Sequence, residues 1–167
     1  MIGRLLTGAV AGIAGTAAMT VVMNPGSAGK LPLRWRPDEF VPRQVVQWLE
    51  AISGRPYSLD EAQEQYAAAL AHVGYGAGMG AIYALLSPGH RYAPPAAAGA
   101  AWGLLVWAIG YQGWMPAAGV RPPTTHQPPS KWPVPIGSHL VYGVVTALAY
   151  AEMSAPRVRK RVLRLKV

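Results

Sequence analysis

Two histidines carry the first chemistry legible in this chain. His72-x-x-Tyr75-Gly76 is followed by Tyr83, and His139-x-x-Tyr142-Gly143 is followed by Tyr150 at the same spacing. On a helix of 3.6 residues per turn, His72, Tyr75, Gly76, Met79 and Tyr83 fall within roughly 100° of arc. His139, Tyr142, Gly143, Thr146 and Tyr150 repeat that stripe. Such a pair of stripes offers three kinds of chemistry. The rings can bond to tyrosine hydroxyls and backbone carbonyls and fix helix register, the usual fate of buried polar groups. Two neutral imidazoles on facing helices can ligate one metal, a haem iron first among the choices. The stripes can also enclose a quinone, a lipid or another small ligand. Register is the favoured reading, because two histidines alone fall short of a haem signature.

Other groups exclude more than they suggest. The chain has no cysteine, which removes disulfides, thiolate metal sites and thiol nucleophiles. His90 and His126 have no acidic or histidine neighbour at ligand spacing and read as solvated surface residues, so no metal site is expected. No phosphate-cradling glycine loop of the Walker kind and no nucleophile elbow is present. An enzyme is not expected, and no catalytic residue is assigned. A small channel or transporter would have only the two stripes to line a polar path, without the carboxylate relay that ion coupling normally uses.

The elements that must position these residues are membrane helices. The 167 residues are 51% hydrophobic and only 13% charged, too apolar for an ordinary soluble domain. Crossing a bilayer takes about 20 residues as a helix. Four stretches qualify: residues 5–23, 66–86, 96–115 and 136–153. Asn24-Pro25-Gly26, Ser87-Pro88-Gly89 and Met115-Pro116 punctuate the first three, and Pro133 and Pro135 precede the fourth. The first stretch follows a short basic start but is expected to stay uncleaved, since it has a counterpart later in the chain. Gly8-x-x-x-Gly12, Gly76-x-x-x-Gly80 and Gly99-x-x-x-Gly103 predict close helix contacts, within the bundle or between copies. Trp114 and Trp132 are placed for an outer aromatic belt.

Between the first two spans, Val41, Val45, Trp48, Leu49 and Ile52 share one helical face, as in a short helix lying on the membrane surface. Ser58-Leu-Asp-Glu61 has the form of a capping box that starts the second span. Pro122, Pro123, Pro128, Pro129, Pro133 and Pro135 predict an extended, stiff strap before the fourth span.

Charge sets orientation. Arg4, Arg91 and the run Arg157, Arg159, Lys160, Arg161, Arg164, Lys166 lie on one side against the single acid Glu152, whereas on the other side acids nearly balance bases. Positive residues collect in the cytoplasm. Both termini are therefore expected there. The net charge of +8, concentrated in this tail, points to anionic lipid and away from nucleic acid.

A shift of 67 residues aligns His72, Tyr75 and Gly76 with His139, Tyr142 and Gly143, and continues from Tyr83 to Tyr150. A shift of 91 places Gly8 and Gly12 over Gly99 and Gly103. The expectation is a single all-α membrane domain of four helices, two tandem hairpins (about 5–88 and 96–154) in parallel repeat. A short amphipathic outer helix and a basic tail at 155–167 complete it. The segment Gly8-x-x-x-Gly12-x-x-Gly15-Thr16-x-x-Met19, together with His-x-x-Tyr-Gly in the second and fourth spans, resembles the YagU-like family of small bacterial inner-membrane proteins of unknown function. The likeness covers the spans and not the loops. It implies a multipass protein of the bacterial inner membrane and brings no established catalytic residues. A structural or accessory role follows as the expectation, with a small ligand, a partner protein or a second copy as binding partner.

Topology reporters test the orientation. A fusion after Val167 is expected to read cytoplasmic and one within residues 26–65 extracytoplasmic; an extracytoplasmic C-terminus overturns it.

Overall fold

The computed structural model describes residues 1–23, 40–87 and 94–155. The predicted punctuation after Met23 and after Ser87, His90, Arg91 and the basic tail from residue 156 lie outside the described residues. Among the described residues the chain is helical with no strand. The elements are α1 (Ile2–Met23), α2 (Val41–Ile52), α3 (Glu61–Leu86), α4 (Pro95–Trp107), a π-helix (Ala108–Trp114), α5 (Met115–Ala117) and α6 (Pro133–Ser154). Short 3₁₀ turns at Thr124–His126 and Pro129–Lys131 precede α6.

Side chains are distributed as lipid, not water, would require. Gly8, Ala11, Gly12, Gly15, Thr16 and Met19 are buried on α1, while Leu6, Val10, Ile13 and Val21 face outward. Leu104, Leu105 and Ile109 are likewise exposed. Apolar side chains gain nothing by leaving lipid, so small and polar groups take the helix contacts. Three helical segments, Ile2–Met23, Glu61–Leu86 and Pro129–Ser154, are long and apolar enough to cross a membrane. The stretch 96–115 is divided among α4, the π-helix and α5.

Proline explains that division. Pro116 has no N–H to donate, and its ring would meet the carbonyl of residue 112 in a regular α-helix. The preceding residues adopt the wider π register, with the Met115 N–H donating to the Gly110 carbonyl. Pro116 therefore does not end this segment. The helix runs on to Ala117 and stops at Gly119, whose φ of 74° suits a residue without Cβ. Val120 N–H to Met115 O and Gly119 N–H to Pro116 O complete a Schellman cap.

Glycine sets the packing. α1 pairs with α3, α4 with α6, and α1 also packs along α6, giving the spatial order α3, α1, α6, α4. A Cβ on Gly80 would lie 2.6 Å from Gly12 Cα and 2.7 Å from Gly12 N, and one on Gly143 would lie 2.7 Å from Gly103 Cα. Gly8, Gly12, Gly76, Gly99 and Gly103 are equally closed to a side chain by the helix facing them. All six predicted packing glycines are thus used inside the molecule. The register of the two hairpins corrects the sequence alignment. Gly8 and Gly12 meet Gly80 as Gly99 and Gly103 meet Gly143, so the contact equates Gly80 with Gly143, one helical turn from the Gly76–Gly143 match. Small residues four apart permit either pairing, because both leave room for close approach. The hairpins are also unevenly joined: α1 lies against α6 along its length, whereas α3 and α4 are not closely packed.

Two polar devices hold the ends. Arg4 Nη2 donates to the carbonyls of Ala84 at 2.6 Å and Ser87 at 3.0 Å, and Arg4 Nε donates to the Tyr150 hydroxyl at 3.3 Å. It joins the start of α1 to the ends of α3 and α6 and satisfies carbonyls left free at a helix C-terminus. At the other end α3 begins one turn before the membrane-length apolar run. Its capping box is Asp60 with Gln63, not Ser58 with Glu61: Asp60 Oδ1 accepts from Gln63 N–H at 2.8 Å and Gln63 Oε1 from Asp60 N–H at 3.0 Å. Ser58 is engaged elsewhere. Its hydroxyl and the Leu59 N–H both donate to Glu50 Oε1 of α2 at 2.9 Å, and these bonds hold the Glu50 carboxyl below its usual range.

Glycines of one helix provide the contrast that tests this packing. Gly78 has nothing within 4 Å of a built Cβ, so Gly78→Ala should be neutral or stabilise by up to about 1 kcal/mol. Gly80→Ala must push α1 away and should cost about 1–3 kcal/mol. Equilibrium unfolding in mixed micelles reads both, and equal values would show that the glycine contact does not set the fold.

Candidate functional site

The two stripes meet. The Tyr142 hydroxyl donates to the Gly76 carbonyl at 2.7 Å, a buried bond from α6 to α3. Both helices run antiparallel to α1, since Gly8 meets Gly80 and Gly12 meets Gly76, while Arg4 meets Tyr150 and Gly15 meets Tyr142. His72 and His139 each lie one turn before this bond and therefore at similar depth. Further along, Tyr83 packs edge-on against Tyr150 with centroids 5.9 Å apart and touches Trp102 at 5.8 Å. That aromatic cluster closes the space between the stripes at the Arg4 end.

Above the cluster the uneven joining of the hairpins leaves a cavity of about 340 Å³. α1 contributes Thr16, Met19 and Met23 to its back wall, and α6 contributes His139 and Tyr142. Ala71, His72, Tyr75 and Gly76 of α3 form one flank. Val106, Tyr111, Trp114 and Met115 form the other. Val41, Pro42 and Val45 of α2 cover the outer end. The predicted apolar face of α2 is therefore split. Its first turns roof the cavity and bury Val41 against Tyr111 and Met115, while Leu49 and Ile52 stay exposed. Val46, on the other flank of α2, packs with Phe40 and Ala68. An ion pair pins this roof: Arg43 Nη2 lies 2.7 Å from Glu64 Oε2 in the first turn of α3. Hydrogen bonding to Glu64 raises the Arg43 pKa.

Hydrogen bonds decide which ring nitrogen of each histidine carries the proton. His139 Nδ1 lies 2.7 Å from the Pro135 carbonyl, which can only accept. Nδ1 is the donor and Nε2 keeps its lone pair. His72 Nε2 lies 3.4 Å from Thr20 Oγ1, whose one proton is already donated to the Thr16 carbonyl at 2.8 Å. With that proton on Thr16, the Thr20 oxygen offers His72 Nε2 an acceptor, which favours the Nε2–H tautomer and leaves the lone pair on Nδ1. Phe40 and Tyr111 hold the rings edge-on, at 5.7 Å from His72 and 5.3 Å from His139. Among the described residues no group of three His, Asp or Glu side chains converges for a metal ion.

Tyr111 is the residue that the sequence pattern left unmarked. The π-helix turns it inward, where it is buried against His139, and Arg121 lies over its ring with Cζ 4.7 Å from the centroid. A tyrosine between Gly110 and Gly113, just before Pro116, was the available signal. The segment holding Arg121 is not a plain extended strap. Pro123 and Pro128 have polyproline-like dihedrals, but two 3₁₀ turns fold the chain back, bury Thr124 and seat the Trp132 indole N–H on the Gln127 carbonyl at 3.0 Å. Trp114 lines the cavity. Tyr75 stands at its edge, 37% exposed, and Tyr83 and Tyr150 lie in the aromatic cluster below.

No family model, curated protein or solved structure matches this chain. The pocket is mainly apolar, lined by two imidazoles and several aromatic rings, with no Asp, Glu, Lys or Arg among its described lining residues.

The Tyr142 bond is the link between stripes that a single atom can test. Tyr142→Phe keeps the ring and removes the hydroxyl, and should lower stability by about 1 kcal/mol, the scale of such bonds in membranes. Unfolding in mixed micelles measures this, and an unchanged midpoint would remove the bond from the account.

Proposed function

We propose that this chain is a multipass bacterial inner-membrane protein of the YagU-like kind, with four spans and both termini cytoplasmic. Its role is accessory, and it binds a small, largely apolar molecule between α3 and α4. The observation that carries this reading is the cavity itself. About 340 Å³ of space is lined by α1, α2, α3, α6 and the segment from α4 to α5, with His72 and His139 among its polar points, a size and lining typical of small-molecule sites. Helices that only needed a stable register would close over this space, since lost contacts cost packing energy. The segment Pro95–Ala117 supplies the third of the four spans in this proposal, and the basic tail binds anionic lipid.

A bis-histidine haem is less well supported. His139 has the posture of an axial ligand, with Nδ1 on a carbonyl and Nε2 free. His72 instead directs Nε2 at Thr20. A channel reading lacks a polar path past the Tyr83, Tyr150 and Trp102 rings.

Native mass spectrometry of protein purified in mild detergent tests the proposal. A small molecule should remain bound to the wild type and be lost from Ala71→Trp, which fills the cavity, and the absorption spectrum should show no Soret band. Equal ligand content in both proteins overturns the cavity as the site; a Soret band overturns the apolar-ligand reading in favour of haem.

A further inference from the structure

We infer that the cavity selects a neutral, lipid-soluble molecule whose head is a ring bearing two hydrogen-bond donors, a hydroquinone being the simplest case. This rests on the ligand-binding reading above and adds the chemical class of the ligand.

The donor requirement comes from the proton positions. Pro135 O holds the proton of His139 on Nδ1, and Thr20 Oγ1 holds that of His72 on Nε2. The second ring nitrogen of each, His139 Nε2 and His72 Nδ1, has no hydrogen bond to a described residue. Each is an acceptor, and both rings belong to the wall of one cavity at similar depth. A ligand hydroxyl satisfies an imidazole lone pair. A quinone carbonyl in the same place sets acceptor against acceptor. Two acceptors on the walls of one cavity therefore fit a head that carries two donors.

Neutrality and ring shape follow from the remaining lining. Among the described residues no Asp, Glu, Lys or Arg contributes to it, and these walls offer a charged head no partner. Tyr75, Tyr111, Trp114 and Tyr142 supply flat faces and edges, and Met19 and Met115 supply polarizable thioethers, both suited to an aromatic ring.

Lipid solubility follows from where the walls are incomplete. α1 and α6 pack together behind the cavity, α2 covers its outer end, and the Tyr142–Gly76 bond and the aromatic cluster close it below. α3 and α4 are the neighbours that are not closely packed, and Tyr75 is half-exposed on that flank. Ile82, two turns further along the same face of α3, is exposed as well. An opening bordered by such residues faces hydrocarbon, and a ligand that enters through it must dissolve there.

The test uses the full chain in nanodiscs of neutral lipid, under anaerobic conditions, with tryptophan fluorescence as readout. Its probes are geranyl hydroquinone and geranyl hydroquinone dimethyl ether, of like shape but without donors. Two hydrogen bonds should make the hydroquinone bind about 10- to 30-fold tighter. His72→Phe, at the half-buried position, should reduce that preference several-fold while leaving affinity for the ether; His72→Gln, which restores an acceptor, should recover part of it. His139→Phe should behave like His72→Phe, and if it does not fold the His72 pair alone decides. Equal affinity of the wild type for both probes, or a preference untouched by His72→Phe, overturns the donor inference and leaves the ligand-binding cavity standing. Binding of neither probe overturns the inference and the reading beneath it.

Discussion

Backbone touching backbone through glycine is the contact from which the rest of this molecule is built. In lipid, burial of apolar side chains does not drive helices together, so association draws on van der Waals contact and polar bonds at short range. Gly12 and Gly80 bring α1 onto α3, and Gly103 and Gly143 bring α4 onto α6, at distances that exclude a Cβ. Carbonyls and Cα hydrogens then meet directly, which adds weak hydrogen bonds to the packing. Many bulky aliphatic side chains turn outward, and Gly, Ala, Thr, Ser, His and Tyr fill much of the interior beside a few larger residues, Met19, Trp102 and Val106 among them.

A cavity arises because this contact is strong within each hairpin and unequal between them. α1 packs on α6 through Gly15, which a Cβ would drive into the Tyr142 backbone and the Thr146 side chain. No corresponding contact draws α3 to α4. The gap is filled only at one end, where Tyr83, Tyr150 and Trp102 reach across. Farther along, Pro116 forces the wide register that swings Tyr111 inward, and the Arg43–Glu64 ion pair keeps α2 over the outer end. Packing and the π register before Pro116 together shape a space that neither hairpin has alone.

Polar groups in that space are ordered by the fold itself. A hydroxyl can give its proton once, and Thr20 has given it to Thr16. A carbonyl can only accept, and Pro135 accepts from His139. Each imidazole is thereby held in one tautomer, presenting an acceptor among aromatic and thioether neighbours. Preorganisation of this kind limits the entropy lost on binding. It also explains how two histidines lie among apolar neighbours without a charge partner, since each is bonded through one nitrogen as a neutral ring.

Local chemistry in the sequence determined much of this protein. Apolar runs of membrane length, the His/Tyr stripes of period 3.6 and the small-residue faces all depend on residues near one another in the chain. The hairpin register did not, because glycines repeat every four residues and a slip of one turn from Gly76 to Gly80 preserves close approach. The cap of α3 moved from Ser58 to Asp60 because a carboxylate from another helix, Glu50, takes the Ser58 hydroxyl and the Leu59 N–H. The inward turn of Tyr111, the roof formed by α2 and the cavity itself also belong to tertiary structure. They depend on which helices fail to touch, and a sequence encodes contacts through its side chains while a gap is decided only when all the contacts around it are in place.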